Sequence, residues 1–284
     1  MPRLSVVIPT KNCVELMRRT MAALDFADEI VVVDMFSTDG TAELVRSHPK
    51  ARLIQRNGHI YENVNFGFDA ATGDWLMRLD SDEIPTPELG REIRERIASA
   101  PEDLCGFYIP NRTYYSNRWL KYGPAYDERS PVPGERFRLC LFRAGTGRYE
   151  SELSHDDLTV RGRCEYLKHR YDHYSVRSFS HYLAKNNYYT DMDVERMNPA
   201  EHDARAEAWA MLWGPVKEFL VFFIKRKGYK DGALGIIACG GYAILRFMIH
   251  AKRWERLTAV KNDIEDADKR KMLEYVTASH LTNA

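Results

Sequence analysis

The first hundred residues alternate short apolar runs rich in valine and isoleucine with stretches of helical pattern, and this alternation constrains the fold more than any other feature. The apolar runs cover residues 4–8, 29–33, 52–55 and 75–79, and the helical stretches cover residues 14–24, 41–47 and 63–71. Continuous apolar strands separated by helices are typical of a parallel sheet covered on both faces. The pattern predicts an α/β fold with a Rossmann-like, mostly parallel central sheet flanked by helices.

The remainder of the chain has a different pattern. A surface helix is predicted with Thr86 as its N-cap and Pro87 at the first helical position. Residues 105–174 are rich in aromatic residues, Gly and Pro, and they favour additional antiparallel strands and loops. From residue 175 the pattern is helical again, and residues 204–254 are unusually apolar. We therefore expect a C-terminal apolar helical appendage.

Charge and cysteine content narrow the class of protein. The chain of 284 residues carries 41 acidic and 41 basic side chains, so no overall field favours nucleic acid as a partner. Its 5 cysteines are widely spaced without a Cys-x-x-Cys pair, which argues against a disulfide framework and a cysteine zinc site. The N-terminus enters a strand-like run at once, leaving no room for a signal peptide. We therefore expect a cytoplasmic protein.

Polar groups follow three of the predicted strands at the point where each strand ends. They are Pro9, Thr10 and Asn12 after the first strand, Asp34 and the run Ser37-Thr38-Asp39-Gly40-Thr41 after the second, and Asp80, Ser81, Asp82 and Glu83 after the fourth. The carboxyl ends of parallel strands lie at one edge of a sheet, where ligands bind. No Gly-x-Gly-x-x-Gly follows the first strand, which argues against a dinucleotide-binding site.

Asp80 and Asp82 are candidate metal ligands. Two carboxylates one residue apart repel each other unless a cation lies between them, and their oxygen atoms suit Mg2+ or Mn2+. Such an ion would stabilise the negative charge that develops on a departing diphosphate. Simpler alternatives are a solvated acidic loop at residues 80–83, a strand that merely ends at Asp34, and a turn at residues 37–41 that caps the next helix.

The same segments, taken in order, resemble glycosyltransferase family 2. The resemblance rests on Leu-Ser-Val-Val-Ile-Pro-Thr-Lys-Asn at residues 4–12, Glu-Ile-Val-Val-Val-Asp at 29–34, Ser-Thr-Asp-Gly-Thr at 37–41, Asn65, Gly67, Ala71, Gly73-Asp74-Trp75 and Leu79-Asp80-Ser81-Asp82-Glu83. Within that family the chain is most similar to the branch of lipopolysaccharide-core β-1,4-glucosyltransferases. The resemblance is specific over residues 4–83 and weaker beyond them.

This resemblance implies a GT-A fold, a nucleoside-diphosphate sugar as donor with a UDP-sugar favoured, a Mg2+ or Mn2+ ion, and inversion at the anomeric carbon in a single displacement. By position, it assigns donor binding to Pro9, Thr10, Asn12, Asp34, Asp39, Asn65, Asp80 and Ser81, and metal binding to Asp80 and Asp82. Asp34 would contact the base or ribose, and Asp39 would support its loop. The chain departs from the branch, in ways that bear on the donor sugar, at Cys13, Val64 and Met35-Phe36.

An inverting transfer needs a general base that takes the proton from the acceptor hydroxyl. The His155-Asp156 pair resembles the His-Glu pair that the branch has at this distance after the acidic motif, so Asp156 is predicted as the base. Asp157 and Glu152 are the alternatives, and His155 is a weaker candidate for the site. The simpler interpretation of this segment is an exposed acidic loop without a catalytic role.

Two further pairs of side chains could take part in ligand binding or catalysis. His169 and His173 have the i, i+4 spacing of a helix, which suggests zinc, although no third ligand is evident and a surface helix or a core histidine would explain them equally. His173 also falls where related enzymes have a histidine near the acceptor, so it remains a weak candidate. Arg136 and Arg138 could neutralise phosphate on either substrate, although exposed arginines are usually only solvated.

The C-terminal part contains two strongly apolar runs, residues 219–224 and 233–245, on either side of the basic run 225–231. Neither apolar run reaches the roughly 20 residues that a membrane-spanning helix needs. They predict a helical hairpin in the membrane interface with a basic tip drawn to anionic lipid. Its aromatic anchors would be Trp209, Trp213 and Trp254. The alternative is that both helices pack on the catalytic domain or on a second subunit.

We therefore expect a GT-A catalytic domain at residues 1–203, with a nucleotide-binding half (1–100) and an acceptor half (101–203), and a membrane-associating helical segment at 204–284. The predicted function is sugar transfer to a bacterial surface glycan or lipid-linked acceptor at the cytoplasmic face of the inner membrane. A nucleotidyltransferase acting on sugar phosphates would need a glycine-rich basic phosphate loop, which the chain lacks. A non-catalytic, membrane-associated glycan-binding protein would release no nucleoside diphosphate.

Overall fold

The computed structural model describes residues 1–128, 130–150 and 158–259, so Glu152, His155, Asp156 and Asp157 lie outside the described residues. The strands are β1 (Leu4–Thr10), β2 (Glu29–Asp34), β3 (Ala51–Gln55), β4 (Trp75–Arg78), β5 (Glu83–Pro85), β6 (Leu104–Tyr115), β7 (Arg118–Trp119), β8 (Glu135–Arg143), β9 (Gly147–Arg148), β10 (Thr159–Val160), β11 (Arg163–Tyr166) and β12 (Tyr171–Val176). The helices are α1 (Val14–Ala22), α2 (Thr41–Arg46), α3 (Ile60–Ala70), α4 (Pro87–Ala98), α5 (Phe179–Arg196), α6 (Ala204–Leu220) and α7 (Ala233–Thr258).

One mixed sheet with the order β3-β2-β1-β4-β8-β6-β12-β5 forms the centre of the molecule, and β7 and β11 pair with β6. β1 is parallel to both β2 and β4, and Thr10 lies opposite Asp34 at its end. β8 is antiparallel to β4 and to β6. The carboxyl ends of β1, β2 and β4 therefore meet at one edge. The predicted α/β fold is confirmed, with antiparallel strands in the second half of the sheet.

Helices cover both faces of this sheet. In β1, Leu4, Val6 and Ile8 belong to the apolar cluster that α1 and α4 complete, whereas Val7 belongs to the cluster under α3. All four side chains are fully buried. Successive residues of a strand point to opposite faces, so a strand covered on both sides must be apolar throughout. This requirement explains the continuous apolar runs in the sequence.

The ends of two helices follow from their capping residues. α3 begins at Ile60, ahead of its predicted start, because the His59 ring accepts a hydrogen bond from the Tyr61 N–H at 3.4 Å. α4 begins as predicted, with the Thr86 hydroxyl accepting from the Leu89 N–H at 3.3 Å. A side-chain oxygen or nitrogen that caps the first turn fixes where a helix can start.

The segment around His173 is a strand and not a helix. His173 lies in β12, which is parallel to β6 and antiparallel to β5, and His169 precedes this strand. The helical interpretation of the two histidines is therefore wrong, because the i, i+4 spacing has no structural basis here. The consequence for the site is different from the one predicted: β12 brings His173 next to the acidic residues that follow β4.

The C-terminal part forms the predicted helical hairpin from α6 and α7. α6 continues into a π-helical turn at Val221–Lys225, and a 3₁₀ turn at Gly228–Asp231 leads into α7. α7 has 26 residues and, by length and composition alone, is long and apolar enough to cross a membrane. The expectation that neither apolar run reaches spanning length is wrong for α7, because the helix continues well beyond the apolar run at 233–245.

The hairpin is fastened to the rest of the molecule at both ends of α7. At the turn before α7, the Asp231 carboxylate accepts hydrogen bonds from the N–H groups of Lys121 and Tyr122 at 3.0 and 2.7 Å. At the far end, Lys252 Nζ donates to the Asn187 carbonyl oxygen of α5 at 2.9 Å. α7 therefore lies along the body of the protein over most of its length.

Candidate active site

The loops after β1 and β2 are joined by reciprocal hydrogen bonds. The Ser37 hydroxyl accepts from the Asn12 N–H at 2.8 Å, and the Asn12 side-chain oxygen accepts from the Thr38 N–H at 2.8 Å. Asn12 has a φ of +50°, in the left-handed region that asparagine adopts more readily than most residues. The two loops therefore form one continuous polar wall at the edge of the sheet.

Asp34 lies fully buried behind this wall. Its carboxylate accepts from the Ser37 N–H at 3.1 Å and from the Gln55 side chain at 3.1 Å. Beside it, after the buried Pro9, the Thr10 hydroxyl is buried and has no hydrogen-bond partner among the residues that the structure describes. Buried hydroxyls without a partner are uncommon.

Asp39 holds the same loops from their other side. Its carboxylate accepts from the Val14 N–H at 3.0 Å and from the Thr41 N–H at 3.1 Å, and the Thr41 hydroxyl donates to it at 2.5 Å. Burial alone would raise the pKa of Asp39, but the hydrogen bonds from Thr41 and Val14 outweigh burial and lower it. Asp39 thus stays ionised and ties the starts of α1 and α2 together.

An acidic cluster follows β4, and the buried Arg78 and the partly buried Arg138 neutralise part of its charge. Arg78 Nη2 lies 2.8 Å from Asp80 Oδ1, and Arg138 Nη1 lies 3.3 Å from Asp80 Oδ2. Arg138 also contacts Glu83 at 2.6 Å, and the Glu83 side chain has no solvent exposure. Burial raises the pKa of Asp80, but the charges of both arginines overcome this effect and hold it below its usual value.

Asp82 faces a second pair of basic groups. His173 Nε2 lies 3.5 Å from Asp82 Oδ1, and Lys185 of α5 is close enough for its charge to act on Asp82. Burial would raise the pKa of Asp82, but His173 and Lys185 keep it well below its usual value. Burial would lower the pKa of His173, but the charge of Asp82 raises it above its usual value.

The cluster differs from the sequence-based expectation in one respect. Two neighbouring aspartates were expected to repel each other unless a metal ion lay between them. The structure shows that Arg78 and Arg138 bind Asp80 while His173 and Lys185 face Asp82, so the protein itself supplies compensating cations. Arg138 is therefore committed to the acidic cluster rather than being simply solvated.

The loop at Ser81 is attached to α1. The Thr20 hydroxyl donates to the Ser81 carbonyl oxygen at 2.9 Å, and the Cys13 side chain lies beside the Ser81 side chain. Burial raises the pKa of the Cys13 thiol, so the residue that departs from the family pattern is a neutral group at this position. Cys13 lies between the nucleotide-side loops and the acidic cluster, in contact with both.

Asn65 has a role that the sequence did not reveal. Its side-chain nitrogen donates to the Tyr149 carbonyl oxygen at 2.9 Å, and its side-chain oxygen accepts from the Tyr149 N–H at 3.1 Å. The Tyr149 hydroxyl in turn accepts from Arg78 Nη1 at 2.9 Å, and burial raises the pKa of Tyr149 to about 12. Both functional groups of the Asn65 amide therefore hold Tyr149, next to the acidic cluster.

Sequence reasoning missed Arg78, Tyr149 and Lys185. Arg78 carried a usable signal, because it is the one charged residue in the apolar run that precedes Asp80. Lys185 had no such signal, since it lies in a helix roughly a hundred residues later. Among the residues described, no group of three His, Cys, Asp or Glu side chains forms a complete metal site.

The comparison with protein families agrees with this geometry. The model of "Glycosyl transferase family 2" matches residues 5–159, which is more than half of the chain. The chain belongs to glycosyl transferase family 2. The predictions of the family and of a glycosyltransferase are therefore confirmed, and the matched residues of this family 2 enzyme include every loop of the site described above.

Named relatives of this family 2 glycosyltransferase come from bacteria. The lipopolysaccharide core biosynthesis glycosyltransferase LpsC of Rhizobium meliloti is 25% identical over 93% of this chain and 97% of its own length. The undecaprenyl-phosphate 4-deoxy-4-formamido-L-arabinose transferase of Sodalis glossinidius is 36% identical over 50% of this chain and 48% of its own. Glucosyl-3-phosphoglycerate synthase from Mycobacterium tuberculosis, solved with Mn2+, uridine diphosphate and glucosyl-3-phosphoglycerate, is 22% identical with a TM-score of 0.32, over 40% of this chain and 44% of that one.

Proposed function

We propose that this glycosyltransferase moves a sugar from a nucleoside-diphosphate sugar, with a UDP-sugar favoured, to a hydroxyl of a bacterial surface glycan or lipid-linked acceptor, with inversion in a single displacement. The observation that carries the proposal is the meeting of three loops at one edge of the sheet, those that follow β1, β2 and β4. The first two loops offer hydrogen-bonding groups to a nucleoside. The third offers carboxylates to a divalent cation, which would neutralise the diphosphate.

The donor would lie between Thr10 and the acidic cluster. The unpartnered hydroxyl of Thr10 and the wall formed by Asn12, Ser37 and Thr38, which Asp34 holds from behind, would supply polar contacts for the base and ribose. Ser81, which α1 holds in position through Thr20, would contact the diphosphate. Pro9 and Asp39 shape the loops, and Asn65 acts on the site through Tyr149.

The residues around Asp82 fit a divalent cation. Asp80 and Asp82 keep part of their side chains exposed, at 25% and 17%, and the His173 imidazole lies beside Asp82. Carboxylate oxygens suit Mg2+ or Mn2+. When bound, such an ion supplies charge neutralisation to the leaving diphosphate. Its remaining ligands would come from the diphosphate and from water.

Asp156 remains the proposed general base. Residues 151–157, which carry it, run between Tyr149 and Leu158, and both of these side chains are buried in the same apolar cluster. Arg78 joins Tyr149 to Asp80 through hydrogen bonds of 2.9 and 2.8 Å. The chain on either side of the proposed base is therefore anchored next to the acidic cluster, where the acceptor hydroxyl must approach the donor.

The acceptor class is supported by the names of the relatives and by the surface of the hairpin. One relative is a lipopolysaccharide core enzyme and another is named for undecaprenyl phosphate. In this chain, exposed apolar side chains form a stripe along α6 and the π-helical turn: Trp209, Leu212, Trp213, Val216, Leu220 and Ile224. A contiguous apolar surface of this kind marks an interaction with a membrane or another protein.

The acidic side chains of α6 point inward, toward α7, which is the reverse of a helix in water. Glu207 is buried and lies 2.6 Å from His250 of α7 and 3.0 Å from His202. Glu218 faces Arg246 of α7 at 3.4 Å. A helix whose acidic side chains point inward and whose apolar side chains point outward is suited to contact with a lipid surface. The basic residues near the turn would meet anionic head groups.

We infer that the hairpin lies on the membrane rather than across it. α7 is fastened to the body of the protein by Asp231 before its start and by Lys252 near its end, so it cannot leave that body to span a bilayer. Residues 1–203 would then form the catalytic domain, and residues 204–284 would hold the enzyme on the cytoplasmic face of the inner membrane.

Thermal unfolding tests the donor site directly. UDP and UDP-sugars should raise the Tm of the purified protein, because a ligand at about 100 times its Kd stabilises the folded state by about 2.7 kcal/mol. Mn2+ should increase this rise in Tm. Asp82→Ala should lose the Mn2+-dependent part, whereas Asp25→Ala, an exposed aspartate at the opposite edge of the sheet, should keep it. The proposal fails if no nucleoside diphosphate or sugar nucleotide changes the Tm of the wild type.

A further inference from the structure

A cleft with a volume of about 410 Å³ lies between the catalytic part of the chain and the hairpin. Its lining includes Asp127 and Glu128 before β8, Arg136 of β8, and Val221, Lys225 and Arg226 at the end of α6. A volume of this size is in the range of pockets that hold small ligands such as a sugar phosphate. The cleft is separate from the loops that follow β1 and β2.

Among the described residues, the three cations of the cleft form no ion pairs. Arg136, Lys225 and Arg226 form no ion pair with any residue in the part of the chain that the structure describes, although Arg226 lies over the Phe222 ring. Cations that converge on a cleft without counter-ions favour the binding of an anion, and arginine suits phosphate oxygens in particular.

The acidic residues of the cleft do not cancel this charge. Asp127 and Glu128 both line the cleft, so two carboxylates stand against its three cations. A carboxylate accepts hydrogen bonds from hydroxyl groups but repels phosphate. The mixture of three cations and two carboxylates keeps an excess of positive charge and therefore suits a ligand that carries both a phosphate and sugar hydroxyls.

The cleft lies next to the acidic cluster, on the side away from the nucleotide loops. Arg136 and Arg138 are two residues apart on β8, so their side chains share a face about 7 Å apart. Arg138 contacts Asp80, and β8 adjoins β4 on the side opposite β1. The charges of Arg136 and Lys185 both act on Tyr242, so the basic groups continue from Asp82 to the cleft.

The hairpin adds an apolar surface at the same place. Val221 lines the cleft, and its neighbours Leu220 and Ile224 are 47% and 59% exposed. A free sugar phosphate has no hydrocarbon part that could contact such a surface. A phosphate ester attached to a lipid would place its phosphate among the cations and its hydrocarbon against the apolar stripe.

We propose that this cleft binds the phosphate ester of a lipid-linked acceptor, through Arg136, Lys225 and Arg226, and presents the acceptor to the donor from the side of Arg138. This inference rests on the proposed function, because it specifies the acceptor of the same transfer. The hydrocarbon of the acceptor lies along Leu220 and Ile224, and its sugar hydroxyls meet Glu128.

The test uses a soluble phosphate lipid and its matched partner without phosphate. Isothermal titration should show that the wild type binds dihexanoyl phosphatidic acid more tightly than dihexanoylglycerol and more tightly than inorganic phosphate. The double variant Arg136→Gln/Arg226→Gln should bind the phosphatidic acid at least about ten-fold more weakly, because each lost charged hydrogen bond contributes about 1.5 kcal/mol or more. Arg118→Gln, which removes an exposed arginine of β7 outside the cleft, should bind like the wild type.

A rise in Tm on addition of UDP shows that each variant is folded and that its donor site is intact. If the wild type responds to UDP but not to phosphatidic acid, or if the double variant binds the phosphatidic acid as the wild type does, this inference is overturned and the proposed function stands. Inorganic phosphate that binds as tightly as the phosphatidic acid would overturn the lipid-linked part. No response to any sugar nucleotide would refute the proposed function itself.

Discussion

Arg78 joins the acidic cluster to Tyr149. Its Nη1 donates to the Tyr149 hydroxyl at 2.9 Å, and its Nη2 donates to Asp80 at 2.8 Å. One buried guanidinium therefore holds the proposed metal ligands at a fixed position relative to the chain that leads to the proposed base. This arrangement explains why a charged residue ends an otherwise apolar strand.

Tyr149→Phe should show that the hydrogen bond between Arg78 and Tyr149 affects sugar transfer more than donor binding. The variant keeps the ring that stacks on Tyr61, with centroids 4.4 Å apart, but removes the acceptor of the Arg78 hydrogen bond. We expect the free energy of unfolding to fall by about 1 to 3 kcal/mol, because a buried charged donor loses its partner. The rate of sugar transfer should fall more than the KM for the donor rises. Steady-state kinetics measure this split, and Tyr166→Phe, which changes an exposed tyrosine, should leave both quantities unchanged.

Arg138→Met should be strongly destabilising. Glu83 is fully buried beside Arg138, so the variant leaves a buried carboxylate without its cation, which costs about 3 to 5 kcal/mol. Urea denaturation measures the loss, and Arg138→Lys should restore part of it. Arg91→Met breaks an exposed pair with Glu88 and should leave the free energy of unfolding nearly unchanged. Equal losses in the two methionine variants would contradict the structural role of Arg138.

Asp39→Asn should reduce stability in a pH-dependent manner. The pKa of Asp39 is lowered from its ordinary value of 3.8, where burial alone would raise it, because Thr41 and Val14 donate hydrogen bonds to the carboxylate. A depressed pKa means that the ionised group stabilises the folded state above the ordinary value, and that this stabilisation disappears as the pH falls through the folded-state pKa. The difference in unfolding free energy between wild type and variant should therefore be largest at neutral pH and shrink in acid. A difference in unfolding free energy that grows in acid would show that the pKa of Asp39 is raised and not lowered in the folded protein.

Trp209→Ser combined with Trp213→Ser should weaken membrane binding without unfolding the protein. The two side chains are 65% and 62% exposed, so their loss removes few internal contacts. Transfer of each ring into lipid contributes on the order of 1.5 to 3 kcal/mol, which predicts at least a ten-fold loss in partitioning onto phosphatidylglycerol vesicles. Tyr166→Ser, at another exposed aromatic, should partition like the wild type. A wild-type dimer that the double variant converts to monomer, with vesicle binding unchanged, would identify the stripe as a subunit contact.

The strands of the first hundred residues could be predicted from the sequence because they are buried on both faces. Such strands leave an uninterrupted apolar run, and the polar residues that end the runs, from Asn12 and Asp34 to Asp80, come together through the parallel topology alone. The strands of the second half of the sheet were harder to predict. The strand that holds His173 has polar and aromatic residues in a spacing that a helix shares, so the pattern did not distinguish the two.

The charge balance of the site could not be predicted from the sequence. Asp80 takes its partners from Arg78, two residues away, and from Arg138, 58 residues away, and Asp82 faces Lys185 of a later helix. A sequence pattern shows neighbours along the chain, whereas these pairs depend on which strands lie side by side. The same limit applies to Asn65, because the sequence pattern does not show that its amide holds Tyr149.

The hydrogen bonds from the N–H groups of Lys121 and Tyr122 to Asp231 have a consequence for how such an enzyme can be divided. A chain cut after residue 203 would deprive two backbone groups of their acceptor and uncover the side chains of Leu120 and Ala125, which pack against Ala238. Such a cut would therefore destabilise residues 1–203 instead of freeing them as an intact unit. Solubilised versions are better obtained by replacing exposed tryptophans than by shortening the chain.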